Sequence, residues 1–280
     1  MSVYLKPGQG PLDYATRPWM IALFALVLLF LYAPIASLVV FSFNVDKTGV
    51  WHGFTWMNYV KAVHNQDIYN ALSNSLAIAV CSTIVATVLG AMTALTLWRF
   101  RFPFKPGFEG FLALPIVVPE ICMGVSLALF FSKTGMMLAV LDLIWPFNLV
   151  NIMIAHIAFS FPFVAVVVRA RLHGFNRQLE EASKDLGATE WQTFINVIVP
   201  FMVPSLVAGA LLAFTLSLDD FVITFFASGP NSSTFPVKIY GMVKRGVDMQ
   251  INAASTILIL ITLGTTLVAM KLQSPAKTGH

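Results

Sequence analysis

Charge is scarce in this chain of 280 residues: 11% are Asp, Glu, Lys or Arg, against about 25% in an average soluble domain. A surface able to hold a folded domain in water is therefore missing. Cysteine is scarce as well, with Cys81 and Cys122 each inside an apolar run. Neither a disulfide framework nor a Cys-x-x-Cys pair for zinc or redox chemistry is present. Basic residues outnumber acidic ones, 17 to 13, yet they form no block long enough to follow a phosphate backbone, which excludes nucleic acid as a partner. The chain has no G-x-x-x-x-G-K-[ST] phosphate loop and so no visible means of binding ATP itself. It also lacks HExxH, GxSxG and paired metal ligands, which excludes a membrane-embedded enzyme. No internal repeat, low-complexity tract or inverted half of the secondary-transporter kind is visible.

What the chain does have is apolar sequence, 58% of it, gathered into runs near the ~20 residues needed to cross ~30 Å of hydrocarbon. Six runs predict six transmembrane helices, at 19–43, 69–98, 108–131, 151–168, 201–227 and 251–270. The expected organisation is all-α: a cytoplasmic tail over 1–18, one polytopic membrane domain over 19–270 and a second tail over 271–280. The first run is too long for a secretory h-region and no small-residue cleavage site follows it, so it reads as a retained anchor. Between Lys133 and Val150, Asp142, Pro146 and Asn148 interrupt the apolar residues, which predicts a short surface helix rather than a seventh span. With six spans, Lys6, Arg17, Arg99, Arg101, Lys105, Arg169, Arg171, Arg177, Lys184, Lys271 and Lys277 share the side that holds both termini. Lys47, Lys61, Lys133, Lys238, Lys244 and Arg245 fall on the other. Eleven against six places both termini in the cytoplasm by the positive-inside rule. Trp19, Trp51, Trp56, Tyr69 and Trp98 lie where spans meet headgroups, as interfacial rings do.

The most informative polar stretch lies between the fourth and fifth spans, Arg169 to Pro200. From Asn176 to Leu186 the pattern is helical, with Leu179, Ala182 and Leu186 on one face and Arg177, Glu180, Glu181, Lys184 and Asp185 around the rest. Gly187 stands where a helix end wants a residue able to take positive φ. Thr189 and Gln192 then have capping-box spacing, with Glu190 in the first turn, so a second helix is expected to run toward Ile198 and stop before Pro200. Residues 176–199 thus form a helical hairpin projecting from the bundle.

Within that hairpin Glu181, Ala182, Ser183, Gly187, Val197 and Pro200 resemble the EAA signature of ABC-transporter permeases: Glu-Ala-Ala, three residues, Gly, nine residues, Ile, one residue, Leu-Pro. Ser183, Val197 and Val199 depart from it by small or volume-conserving changes. The resemblance implies a MetI-like permease fold whose hairpin, between helices 4 and 5, is a cytoplasmic coupling helix seated in a cleft of an ATPase subunit. Glu181 and Gly187 are then the sensitive contact and turn positions, with Leu186 beside them. Leu31–Asn44, Ser160–Leu172, Phe214–Pro230 and Phe235–Ile259 further resemble permeases of spermidine/putrescine uptake systems. Parts of these motifs are shared with permeases for ferric iron, thiamine or phosphonates. The likeness implies the inner membrane as location and, as partners, a second related permease, two ATPase subunits that hold ATP and Mg, and a periplasmic polyamine-binding protein. No cofactor is expected in this chain.

A polyamine carries several ammonium groups on methylene stems, so its path needs carboxylates or carbonyls for the charges and apolar or aromatic walls between them. Glu120, Asp219 and Asp220 lie within or near the ends of apolar runs, where an Asp at a helix centre costs about 2.5–3.5 kcal/mol. They are the candidate path residues, with Phe221 as a wall. The alternative is that they bond backbone freed where Pro115, Pro119 or Gly229-Pro230 breaks a helix. His156, in the fourth span, is either a polar contact at a subunit interface or a helix-packing residue. A rival of another class is a stand-alone transporter in which Glu120, Asp219 and Asp220 couple to an ion gradient.

Overall fold

The computed structural model describes residues 18–46, 50–139, 148–229, 232–245 and 249–273. Helices account for nearly all of them: α1 Pro18–Phe41, α2 Met57–His64, α3 Gln66–Arg99, α4 Lys105–Val117, α5 Glu120–Ala139, α6 Leu149–His173, α7 Gln178–Asp185, α8 Glu190–Thr193, α9 Val199–Asp219, α10 Val222–Ala227, α11 Phe235–Arg245 and α12 Met249–Gln273. A π-turn, Phe194–Ile198, joins α8 to α9. The only extended pairing among the described residues is one bridge, Asn44 to Phe54. Five helices are long and apolar enough to span a membrane, and α4 with α5 makes a sixth if counted as one bent span.

The chain divides into two compact units, 1–64 with 246–258, and 65–245 with 259–280. In the first, α1 has no buried side chain, because its apolar residues run all round it, as expected of a helix that meets lipid or another subunit. Beyond α1 the chain turns on Asn58, whose Nδ2 donates to the carbonyls of Ser42 at 2.9 Å and Asn44 at 2.7 Å. Rings of Phe43, Phe54, Trp56 and Tyr59 cluster there, with Phe43 stacked on Phe54 at 5.2 Å.

The second unit is built on α3, α6 and α9. Ser82, Ala86, Gly90 and Ala94 recur every fourth residue on α3 and are buried, the small-residue stripe that lets membrane helices approach closely. Gly90 requires that approach: a Cβ there would lie 2.6 Å from Val164 Cβ on α6. Gly209 on α9 meets the same Val164, where a Cβ would lie 3.0 Å from its Cγ1. Val164, Val168, Leu172, Met202 and Ala213 complete the buried seam.

Three elements depart from the sequence expectation. The third run, expected unbroken over 108–131, bends by 106° between α4 and α5, because the backbone leaves helical geometry at Val118 and Pro119 has no N–H to continue the ladder. The fifth run, expected over 201–227, breaks after Asp219, and α10 restarts at Val222. The second limb of the hairpin does not stop before Pro200 but runs through it into α9, one stretch from Glu190 to Asp219. The π-turn explains this: Val199 N–H reaches back five residues to the Phe194 carbonyl, and the widened turn relieves the clash a proline makes with the carbonyl four residues earlier. Between Lys133 and Val150, α5 extends through Ala139 and α6 begins at Leu149; the expected surface helix otherwise falls on 140–147, outside the described residues, as do the tails 1–17 and 274–280.

Candidate functional site

Two sites emerge, one at each of the polar features of the second unit. The first is the hairpin. Asn176 Oδ1 accepts from Gln178 N–H at 3.0 Å to start α7. At its end Gly187 has φ +86°, Ala188 N–H bonds the Ser183 carbonyl at 3.1 Å and Gly187 N–H bonds the Lys184 carbonyl at 2.8 Å. That pair of bonds is a Schellman termination, which puts a left-handed residue at this position and so favours glycine. Thr189 Oγ1 then accepts from Gln192 N–H at 3.3 Å while Gln192 Oε1 accepts from Thr189 N–H at 2.8 Å, closing the capping box.

The hairpin carries its apolar side chains outward. Leu186 is 90% exposed and Trp191 67%; Leu179, Glu181 and Ala182 are exposed with them, and Ser183 is half-buried. Its inner face is charged. Glu180 is buried and takes both oxygens to the Arg99 guanidinium at the end of α3, at 2.6 and 2.7 Å. Lys184 Nζ lies 3.2 Å from Glu180 Oε1 and 2.6 Å from Glu190 Oε1, and Ser183 and Thr193 hydroxyls are 3.1 Å apart, so the two limbs are tied to each other. The hydrogen bonds from Arg99, helped by Lys184, hold the Glu180 carboxyl down at about 2. Lys184 is correspondingly pushed up by Glu190 and Glu180. Val197 lies half-buried in the π-turn, and Pro200 is exposed at the start of α9. Pairing of Arg99 with Glu180 is not legible in the sequence; the signal available is an arginine beside Trp98 at the end of a long apolar run, with Arg101 following it.

The second site lies where two helix breaks meet. α5 lies against α10 with so little room that a Cβ on Gly124 would come 2.8 Å from the Phe226 ring. Asp220 and Asp219, adjacent in sequence, have opposite surroundings. Asp220 is 8% exposed and caps α10, accepting from Thr224 N–H at 2.7 Å, Ile223 N–H at 3.3 Å and the Thr224 hydroxyl at 2.8 Å. His156 is buried beside it, Nε2 at 2.9 Å from Thr224 Oγ1 and 3.3 Å from Asp220 Oδ2, Nδ1 at 2.7 Å from Ser217 Oγ. Ser217 is in turn 3.0 Å from Ser82 on α3. With the Nε2 proton given to Thr224 and the Ser217 hydroxyl given to Nδ1, every group in the chain from Ser82 to Asp220 is satisfied. Asp220 and His156 therefore support the break itself. Asp219 is exposed, and so is Glu120 at the first residue of α5. Phe221 is half-buried, its ring 5.6 Å from Phe225 and 4.8 Å from Tyr240. Among the described residues no cluster of three His, Cys, Asp or Glu side chains is placed to hold a metal.

Comparison with known proteins agrees with this geometry. Residues 86–274 match the family described as binding-protein-dependent transport system inner membrane component. The chain is 40% identical over 250 residues to the spermidine/putrescine transport system permease protein PotC of Escherichia coli strain K12, covering 89% of this chain and 91% of that one. It is 38% identical over 252 residues to the putrescine transport system permease protein PotI of the same strain, covering 89% and 88%. Among solved structures, a chain of a bacterial ABC transporter involved in the import of the acidic polysaccharide alginate superposes with a TM-score of 0.75 at 17% identity, covering 93% of this chain and 96% of that one. A chain of the MetNI methionine ABC transporter, in an inward-facing conformation, gives 0.60 at 16% identity, covering 73% and 94%. The structural likeness establishes a MetI-like fold, the sequence match extends over most of the chain, and the protein belongs to the binding-protein-dependent inner-membrane permeases, the membrane-spanning transport subunits of ABC importers.

Proposed function

We propose that this chain forms half of the translocation pathway of an ATP-driven importer for polyamines, spermidine or putrescine. A second related permease completes the pathway, two ATPase subunits bind ATP and Mg, and a periplasmic polyamine-binding protein delivers the solute; both termini face the cytoplasm. The observation that carries the solute assignment is the close packing of α5 on α10 beside two helix breaks, each with an exposed carboxylate, Glu120 or Asp219, in a chain whose relatives are named for spermidine and putrescine. Carboxylates at helix breaks can replace the hydration of an ammonium group, while Phe221 and its neighbours face the methylene stem. Asp220, committed to α10, fixes the break that presents Asp219.

The hairpin supplies the drive. Its outward Leu179, Ala182, Leu186 and Trp191 form a compact apolar face suited to a cleft in a soluble partner, with Glu181 at its edge and Gly187 making the turn. ATP-driven closure of the partner moves this hairpin and switches the spans between inward-open and outward-open arrangements. A loaded binding protein favours the outward-open state only by binding it better than the other.

The test is uptake of labelled spermidine and putrescine in cells with the chain deleted and then restored, with ATP present or depleted. Loss on deletion and ATP-dependent rescue is expected. Restoration with Asp219→Asn should lower uptake at least tenfold while the subunit still inserts. Unchanged polyamine uptake after deletion overturns the solute assignment and redirects it to ferric iron, thiamine or phosphonate. Uptake that survives ATP depletion but collapses with an uncoupler overturns ATP coupling in favour of an ion gradient.

A further inference from the structure

The hairpin joins the bundle through two compliant joints: an irregular link, Gly174 to Arg177, after α6, and the π-turn, in which the helical ladder is widened. A lever held only there would rotate under load and pass little of its displacement to the spans. A third support lies inside the chain. Trp98 and Arg99, the last two residues of α3, grip hairpin residues one turn apart. Arg99 takes Glu180 with both arms of its guanidinium at 2.6 and 2.7 Å, and the Arg177 guanidinium lies 5.6 Å above the Trp98 ring. Trp98 also packs edge-on against Phe175 at 5.6 Å. Because Lys184 bridges Glu180 to Glu190, both limbs of the hairpin are held through the same point.

The member so gripped is the longest helix described. α3 has 34 residues, about 51 Å at 1.5 Å per residue, and Gly90, between two and three turns before its Arg99 end, locks it against α6. Its far end is fastened to α11: Lys238 Nζ to Asp67 at 2.6 Å, Asn74 Nδ2 to the Ser233 carbonyl at 3.2 Å just before it, and Phe235 N–H to Ser75 Oγ at 2.8 Å. We propose that Arg99 and Glu180 are positioning residues for coupling: their clamp makes α3 the rod that carries hairpin displacement through the bundle to α11. This rests on the reading of the chain as an ATP-driven permease. It assigns the task to a buried glutamate that does not reach the docking face, beside the exposed Glu181 that does.

The inference is tested with the full complex in proteoliposomes, measuring spermidine uptake and ATP hydrolysis together. Arg99→Ala and Glu180→Ala are expected to assemble and to hydrolyse ATP within twofold of the unaltered complex, with solute moved per ATP reduced tenfold or more. The fully exchanged network, Arg99→Glu with Glu180→Arg, Lys184→Glu and Glu190→Lys, should recover at least half of that ratio, since Lys184 and Glu190 lie within 4 Å of the pair. Arg99→Lys should fall between, because an ammonium cannot serve both carboxylate oxygens with one fork. Single variants that keep the unaltered ratio overturn the clamp, as does a loss that matches lost assembly and is not recovered by the exchange. A second measurement is independent of the solute: spin labels at Asp185 and Thr96, with Cys81 and Cys122 replaced by Ser, should give a narrow distance distribution that broadens in Arg99→Ala. Equal widths overturn the clamp. If the unaltered complex moves no polyamine but the labels behave as expected, the solute assignment fails and the clamp stands.

Discussion

Glu180 and Glu181 differ by one position and by nearly everything else. Glu180 is buried against Arg99 with its carboxyl held at about 2, below an ordinary 4.5; Glu181 is exposed. A carboxyl lowered on folding contributes stability that is complete above about 4.5 and is lost as pH falls toward about 2. Amide exchange in the 176–193 segment should therefore show constant protection above pH 5 or so and rising exchange below about 4.5, and Glu180→Gln should abolish that dependence. Gly187 poses a different question, because a Cβ there would meet nothing within 4 Å. The constraint is its φ of +86°, which costs an ordinary L-residue roughly 1–2 kcal/mol. Gly187→Val should leave the subunit inserted while uptake is abolished; full uptake in that variant would remove the hairpin from the coupling mechanism.

At the scale of elements, closeness between helices is set by single glycines. A Cβ on Gly90 would be 2.6 Å from Val164 Cβ and 2.9 Å from the Phe161 carbonyl oxygen, and neither can retreat without moving α6. Gly90→Ala should destabilise the detergent-solubilised protein by about 1–3 kcal/mol, the usual cost of overpacking. Val164→Gly, which removes both side-chain contacts of the clash, Cβ at 2.6 Å and Cγ1 at 2.8 Å, should recover part of that overpacking cost, offset by its own helix penalty of about 1 kcal/mol. Gly110→Ala, in open space inside α4, should instead raise stability by about 0.5–1 kcal/mol, the helix preference of alanine over glycine. Proline effects divide in the same local way. Pro119 accompanies a 106° bend, whereas Pro200 sits inside a continuous stretch because a π-turn precedes it. The residue type is the same; the difference is whether the preceding carbonyls have somewhere to go.

For the whole molecule, the sidedness of the membrane decides how the parts serve transport. Arg99, Lys105, Arg169, Arg171, Arg177 and Lys184 belong to the end of the second unit that bears the hairpin. There Arg169 pairs with Glu109 at 2.8 Å, and the Arg171 guanidinium lies 4.3 Å above Phe201. Positive charge of this density is expected on the cytoplasmic side, and under the proposed function that is the side on which Leu186 and Trp191 meet an ATPase. Reporters fused to either terminus should accordingly be active only in the cytoplasm; a periplasmic signal from one terminus would require an odd number of crossings. The exposed apolar surface of α1, with Phe30 77% exposed and Leu29 73%, fits a helix that meets lipid or another subunit.

Sequence alone determined the features that are local. Apolar runs fixed an all-helical membrane chain, since hydrocarbon leaves the backbone no other partners. The Gly187 turn and the Thr189 capping box were legible because each is written within a few residues. Tertiary structure alone decided which neighbour in each charged pair does what. Glu180 is buried because Arg99, 81 positions away, ends a different helix beside it. Asp220 caps α10 and Asp219 stays exposed because His156 of α6 and Ser82 of α3 meet at the break, joined through Ser217 of α9. The paths of α4 with α5 and of α9 with α10 likewise depended on contacts such as Gly124 against Phe226. Such outcomes are differences in desolvation and pairing between groups far apart in the chain, and a linear pattern holds no record of those distances until the helices pack.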